Sequence, residues 1–248
     1  MKKLHSEGKC YFCGKTFAKS TISRHLNSHI QKEAAGKKGK SFHVRVECAE
    51  MFLNLWVDEK TSLSQIDDFL RGIWLECCGH MSIFIDTRKR NEMRARGPVF
   101  DFSSMTEDEE DLAPGEISMD ALAGDAFSKE QKIQYDYDFG STTSLDIKIL
   151  EEFVCRPPKP VVLLSRNEPL EILCDICGKE PAVTICSVCI GCEESFFCKK
   201  CSTKHKKECS DFADYAAMPV VNSPRMGVCG YEGGKIDTDR DGVYKKKS

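Results

Sequence analysis

Three observations in this sequence predict an α+β core domain with a small cysteine-rich module at each end. Fifteen cysteines fall among 248 residues, and most of them stand in Cys-x2-Cys pairs near the two ends of the chain. Between those ends, short runs of alternating apolar residues, as in strands, surround a helical pattern of apolar spacing. Charged residues make up 30% and apolar residues 41% of the chain, the balance of a globular protein rather than a disordered one. The boundaries follow from shifts in composition: 1–30 first module, 31–41 linker, 42–168 core, 169–215 second module, 216–248 tail.

In residues 1–30, Cys10-x2-Cys13 is followed by eleven residues and then by His25-x3-His29. Zinc takes four N or S ligands in a tetrahedron, and a knuckle carrying two of them leaves just enough backbone to bend around the ion. The spacing is one residue short of that of a Cys2His2 ββα finger. Phe17 and Ile22 fall at the two apolar core positions of such a finger, and a helix from about Lys19 puts both imidazoles on one face. Residues 1–40 hold ten Lys/Arg against two acids, a local balance of +8. That charge is the footprint of a nucleic-acid contact. The base-reading positions fall near Lys19, Thr21 and Arg24. Lys32, Lys37, Lys38 and Lys40 are placed to follow a phosphate backbone. One finger reads roughly three base pairs, so weak, loosely specific nucleic-acid binding through residues 1–40 is the expectation. The plain alternative is a solubilising tail beside a structural finger.

The segment 31–41 is rich in lysine and small residues, the composition of a flexible basic linker. Phe42, Val44 and Val46 then share one face of a first strand, and Phe52, Leu53, Leu55 and Val57 belong to a second, with a hairpin turn at Ala49-Glu50. Thr61 or Ser62 caps a helix running to about Cys77, with Leu63, Ile66, Leu70, Ile73 and Trp74 at helical spacing. Residues 80–85 form the next strand. Residues 101–120 hold eight acids and no base, an exposed acidic excursion. A short helix around Met119–Phe127 precedes strands over 132–141, 142–153 and 161–166. Cys77 and Cys78 are expected as reduced helix residues, His80 as a helix-end or core histidine. Cys48, Cys155 and Cys229 have no partners at ligand spacing.

The second module holds Cys174-x2-Cys177, Cys186-x2-Cys189 and Cys198-x2-Cys201, each pair twelve residues after the last, then His205-x3-Cys209. Eight ligands in four pairs give two closed structural sites. Cys189-x2-Cys192 has the same spacing as Cys186-x2-Cys189, so Cys192 competes for a place; the twelve-residue rhythm favours Cys186 with Cys189. With the first module, the chain is expected to carry three zinc ions. The tail over 216–248 has no strong period and is expected to lie irregularly against the second module.

The core resembles the pRi-plasmid ORF-three-like family, also known as insertion-element passenger proteins. The resemblance rests on Leu63-x2-Ile66, on Gly79-His80-Met81 before a strand containing Phe84, and on Tyr135-Asp136-Tyr137-Asp138-Phe139-Gly140. It covers about half the chain and implies a fold, the family's activity being unassigned. Ser141 stands where that family has Asp, and Ser and Thr stand in place of its Trp. The second module resembles a MYND-type cross-brace finger through Phe197-Cys198, Cys201 and His205-Lys206-x2-Cys209. That resemblance implies that Cys174, Cys177, Cys198 and Cys201 share one ion and that Cys186, Cys189, His205 and Cys209 share another. MYND-type fingers usually carry three residues between the fifth and sixth ligands, where this chain has two.

No run approaches the ~18 apolar residues of a membrane helix, and no secretory pattern opens the chain, so a cytoplasmic location is expected. There is no glycine-rich phosphate loop, nucleophile elbow or His-Glu-x-x-His. Asp136 and Asp138 share one face if both lie on a strand, and an enzyme using that acidic segment is the alternative. A mobile-element accessory role is a further one. The expectation is a non-enzymatic zinc-binding adaptor or regulatory factor with a protein partner at the C-terminal finger.

Overall fold

Residues Ser41–Cys48 alternate apolar and polar side chains, Met51–Asp58 are almost wholly apolar, and the two runs pair as neighbouring strands of the main sheet. A computed structural model describes residues 4–33, 38–96 and 112–245. A short hairpin, β1 (Glu7–Lys9) and β2 (Thr16–Ala18), leads into helix α1 (Ile22–Glu33). The long hairpin β3 (Ser41–Cys48) and β4 (Met51–Asp58) follows. Ala49 takes φ 49° at its tip, the left-handed conformation that two-residue hairpin turns require. Helix α2 (Leu63–Leu70) opens on a capping box, in which Ser62 Oγ accepts from Gln65 N while the Gln65 side chain accepts from Ser62 N.

The expected α-helix to Cys77 instead continues as a π-helical turn, Arg71–Leu75. Its wider winding frees carbonyls for tertiary bonding. Gly72 O accepts from Lys235 N at 2.7 Å and Ile236 N at 3.0 Å, and Trp74 O accepts from Ser223 Oγ at 2.6 Å. Next come β5 (Ser82–Asp86), α3 (Thr87–Arg96), β6 (Glu116–Ile117), α4 (Ala123–Ala126), β7 (Lys132–Tyr137), β8 (Thr143–Phe153) and β9 (Val161–Arg166). The helix expected around Met119–Phe127 is thus a single turn. Residues 101–111 of the acidic stretch lie outside the described residues.

Strands β3 to β9 form one sheet in the order β6-β5-β7-β8-β3-β4-β9. All its pairings are antiparallel, with Val44 opposite both Leu55 and Ile149. Period-two alternation sends Leu53, Leu55 and Val57 to one face, where α2 and the π turn bring Leu63, Ile66, Leu70, Ile73 and Trp74. Phe52 and Trp56 point to the opposite face, together with Leu164 and Phe153. There α1 lays down Ile22, Leu26 and Ile30, each fully buried. Two covered faces account for β4 being buried along its whole length.

The second module has its own three-stranded sheet, β11-β10-β12, made of β10 (Thr184–Cys186), β11 (Phe196–Phe197) and β12 (Ala217–Pro219), with helix α5 (Lys199–Glu208) between the last two. The irregular tail touches this module through Met226 and Val243, but its strongest anchors are on the core. Arg166 of β9, fully buried, donates to Asn222 O and to Asp241 Oδ1, both at 2.5 Å. Arg225 of the tail, also fully buried, donates to Asp138 Oδ2 at 2.5 Å and to Ser141 O. Burying a guanidinium is tolerable only with charge-paired terminal nitrogens of this kind; the Nε of each arginine is buried without a hydrogen-bond partner.

Candidate metal centres

Four groups of cysteine and histidine could hold a metal ion among the described residues, each with its ligand atoms within 4.8 Å of one another. The first is Cys10, Cys13, His25 and His29. Cys10 and Cys13 ride a tight turn between β1 and β2, closed by Gly14 N donating to Cys10 O at 2.9 Å. Gly14 sits at φ 70°, open to glycine without strain. The imidazoles project from α1 four positions apart, and Cys13 Sγ lies 3.2 Å from His25 Nε2. Phe17 stacks on His25 and Phe12 on His29, at centroid distances of 4.1 Å and 5.1 Å. Burial lowers the His25 pKa, with the neighbouring His29 adding to it, which keeps the ring in the neutral, ligating form.

The helix begins at Ile22 and not at Lys19, because Thr21 N closes a turn onto Ala18 O. Lys19 is therefore on the preceding turn, where its Nζ donates to Ala49 O at 2.7 Å and approaches Glu47 Oε1 at 3.4 Å. Thr21 and Arg24 are exposed, as are Lys32 and Lys38, while Lys37 lies outside the described residues. Lys40 pairs with Glu152.

In the second module Cys174, Cys177, Cys198 and Cys201 converge in one group, and Cys186, Cys189, His205 and Cys209 in another. The first and third pairs thus meet in space, as do the second and fourth. Gly178, at φ 58°, donates to Cys174 O and closes the first knuckle. Asp175 Oδ2 accepts from Ser195 N and Phe196 N at 2.8 Å and 2.7 Å, tying that knuckle to β11. Cys198 caps α5 and Cys201 follows on its first turn, while His205 and Cys209 mark its far end. His205 is buried, stacked on Phe197 at 4.1 Å and edge-on to Phe212 at 4.8 Å. Cys192 is exposed and stands outside both groups.

The thiols show what these clusters need. Burial and then the neighbouring thiols push Cys189 and Cys201 up to about 12. Backbone N–H groups of Glu180 and Lys179 bring Cys177 down to about 7. Crowded thiols resist joint ionisation, and a divalent cation reverses that opposition by accepting them as thiolates.

The fourth group is Cys77, Cys78, His80 and Cys229, which the spacing of the sequence does not announce. Cys77 and Cys78 are not helix residues; they lie past the π turn, in the bend before β5. Cys229 reaches them from the tail, 151 positions beyond Cys78. The available sequence signal was the dense Cys-Cys-x-His string and a cysteine next to glycine in a turn.

Asp136 and Asp138 do not share a strand face, because β7 ends at Tyr137 and Asp138 turns to φ 65°. Asp136 accepts from the Gln134 side chain and Asp138 from Arg225. No family model and no curated protein matches the chain. A solved structure, a protein of unknown function, MM3350, from Methanosarcina mazei Go1, is 13% identical and covers 52% of this chain and 68% of its own, with a TM-score of 0.36.

Proposed function

We propose that the chain is a zinc-binding, non-enzymatic interaction protein whose N-terminal arm contacts nucleic acid and whose C-terminal finger takes a protein partner. The observation that carries the reading is the convergence of twelve Cys and His ligands into three sets, one expected from spacing and two from the MYND-type resemblance, each within 4.8 Å. Four N/S ligands per set leave no open position for a substrate, which is the structural rather than the catalytic pattern of zinc. The C-terminal module takes a MYND-type reading, supported by its crossed ligand pairs and by the exposure of Val188, Ile190 and Tyr215. Partly apolar surface of this kind suits a peptide partner. The core takes the plasmid ORF-three-like reading. Among the described residues, no helix is long and apolar enough to cross a membrane, in keeping with the cytoplasmic reading.

On the N-terminal arm, α1 buries Ile22, Leu26 and Ile30 and leaves Arg24, Ser28 and Lys32 outward. These, with Lys37 and Lys38, supply the phosphate contacts. Removing residues 1–40 would strip a face of the sheet, so charge reversal is the informative change.

Protein purified from zinc-replete medium should hold zinc in these three sets. Cys10→Ser, Cys198→Ser and Cys209→Ser should each remove one ion, and Cys192→Ser none. The same protein should bind duplex DNA with a steep salt dependence, and Lys32→Glu with Lys38→Glu should lower the log–log salt slope by about two. Zinc content unchanged by the ligand substitutions, or DNA binding indifferent to the lysines, overturns the corresponding half of the proposal.

A further inference from the structure

We propose that Cys77, Cys78, His80 and Cys229 form a fourth zinc site, one that ties the tail to the core domain. The group belongs to neither finger, and its four ligand atoms lie within 4.8 Å of one another. In a tetrahedral zinc site, thiolates at about 2.3 Å from the ion stand roughly 3.8 Å apart. Cys77 Sγ is 3.8 Å from Cys78 Sγ, and Cys78 Sγ is 3.6 Å from Cys229 Sγ. His80 turns Nε2 inward, 2.9 Å from Cys78 Sγ and 3.3 Å from Cys229 Sγ. Three sulfurs and one imidazole nitrogen therefore surround a single point.

The surroundings are those of a built ligand set. A ligating imidazole commonly has its outer nitrogen fixed by a carboxylate, and His80 Nδ1 faces Asp138 Oδ1 at 3.5 Å. Asp138 is itself held by Arg225, whose guanidinium also stands 3.7 Å from Cys77 Sγ. Three thiolates on a zinc ion leave one net negative charge, and that buried guanidinium offsets it. The loop carrying three of the ligands is fixed by Arg71, which donates to His80 O at 2.6 Å and to Glu76 Oε2 at 2.9 Å. Glu76 Oε1 in turn accepts from Gly79 N at 2.6 Å.

On the tail, Cys229 adopts φ 51° beside Gly230 at φ 68°. A non-glycine residue held there is strained and is kept where the surroundings demand it. A Cys78–Cys229 disulfide would use two of the four groups and give no account of Cys77 Sγ and His80 Nε2 converging on the same point. Soft thiolates with one imidazole select zinc over harder cations, and the three thiol protons leave as the ion binds.

Peptide-resolved alkylation of the zinc-replete full-length protein, without and then with added reductant, tests the site directly. Cys78 and Cys229 are both exposed, so a free thiol at either position is accessible to iodoacetamide. The expected result is protection of both in the zinc-loaded protein and alkylation once a chelator strips the metal. Cys229→Ser should lower total zinc by one ion while the fingers' cysteines stay protected. Free alkylation of Cys78 and Cys229 before chelation overturns the proposal. So does protection that only a reductant lifts, which identifies a disulfide. Because the readout is by peptide, loss of metal from the fingers is scored separately from loss at this site.

Discussion

His43 lies on β3 beneath α1, fully buried, with Nε2 at 2.9 Å from Asn54 Oδ1 and Nδ1 at 2.5 Å from Asn27 Oδ1. Burial holds its pKa down to about 4. An unfolded histidine titrates near 6.5, so folding favours the neutral ring. Its contribution is therefore complete above pH ~6.5 and is lost as the pH falls through the folded value, to the extent of about 3 kcal/mol. His43→Gln, which keeps a polar side chain between the two asparagines, should flatten stability against pH across that window. Urea midpoints at pH 7 and pH 5 check this; an equal loss in both proteins sets the histidine aside. Nothing in the sequence marked His43, because its neighbours come from three separate stretches of chain. The finger ligands were legible for the opposite reason: paired cysteines and histidines a few residues apart show their chemistry locally. Cys229, whose partners are 149 to 152 positions away, shows nothing until the chain is folded.

Among the elements, the strands read most truly. Strict alternation at Phe42–Val46 and over Thr143–Ile149 of β8 survives any packing, since one face or the other must be buried. The helices were harder. Leu70, Ile73 and Trp74 fit an α-helix as well as a π turn, and the choice was made by tail N–H groups arriving at Gly72 O. Helix α1 looked like part of a free-standing finger, yet its apolar stripe covers Phe52 and Trp56 of the sheet. Leu26→Ala should then cost about 2–5 kcal/mol, and the loss should appear in the melting of the core sheet. A scan showing only a separate, small transition for the finger, with the main melt unmoved, would show that the contact contributes nothing to the core.

Across the whole molecule, the tail is the piece that composition described least well. Its glycines, prolines and aspartates signal irregular backbone, and it is irregular, but they are silent on where it docks. Asp241 meets the buried Arg166 at 2.5 Å and also accepts from Gly234 N. Leaving one partner of a buried ion pair alone costs roughly 3–5 kcal/mol. Asp241→Ala should lower the unfolding midpoint in urea accordingly, whereas a surface aspartate such as Asp239 changed to Ala should leave it nearly unmoved. Equal effects at the two positions would sink the argument.

This arrangement bears on the order in which the protein can be made. Synthesis runs from the N-terminus, so all seven strands of the large sheet leave the ribosome before residues 220–241 exist. Until then Arg166 is a cation without its counter-ion, Asp138 lacks Arg225, and the carbonyls of the π turn face water or nothing. The sheet can assemble early in the growing chain but can settle only after the tail has followed it. A nascent chain halted just past Pro219 is thus a substrate for chaperones, however complete its strands.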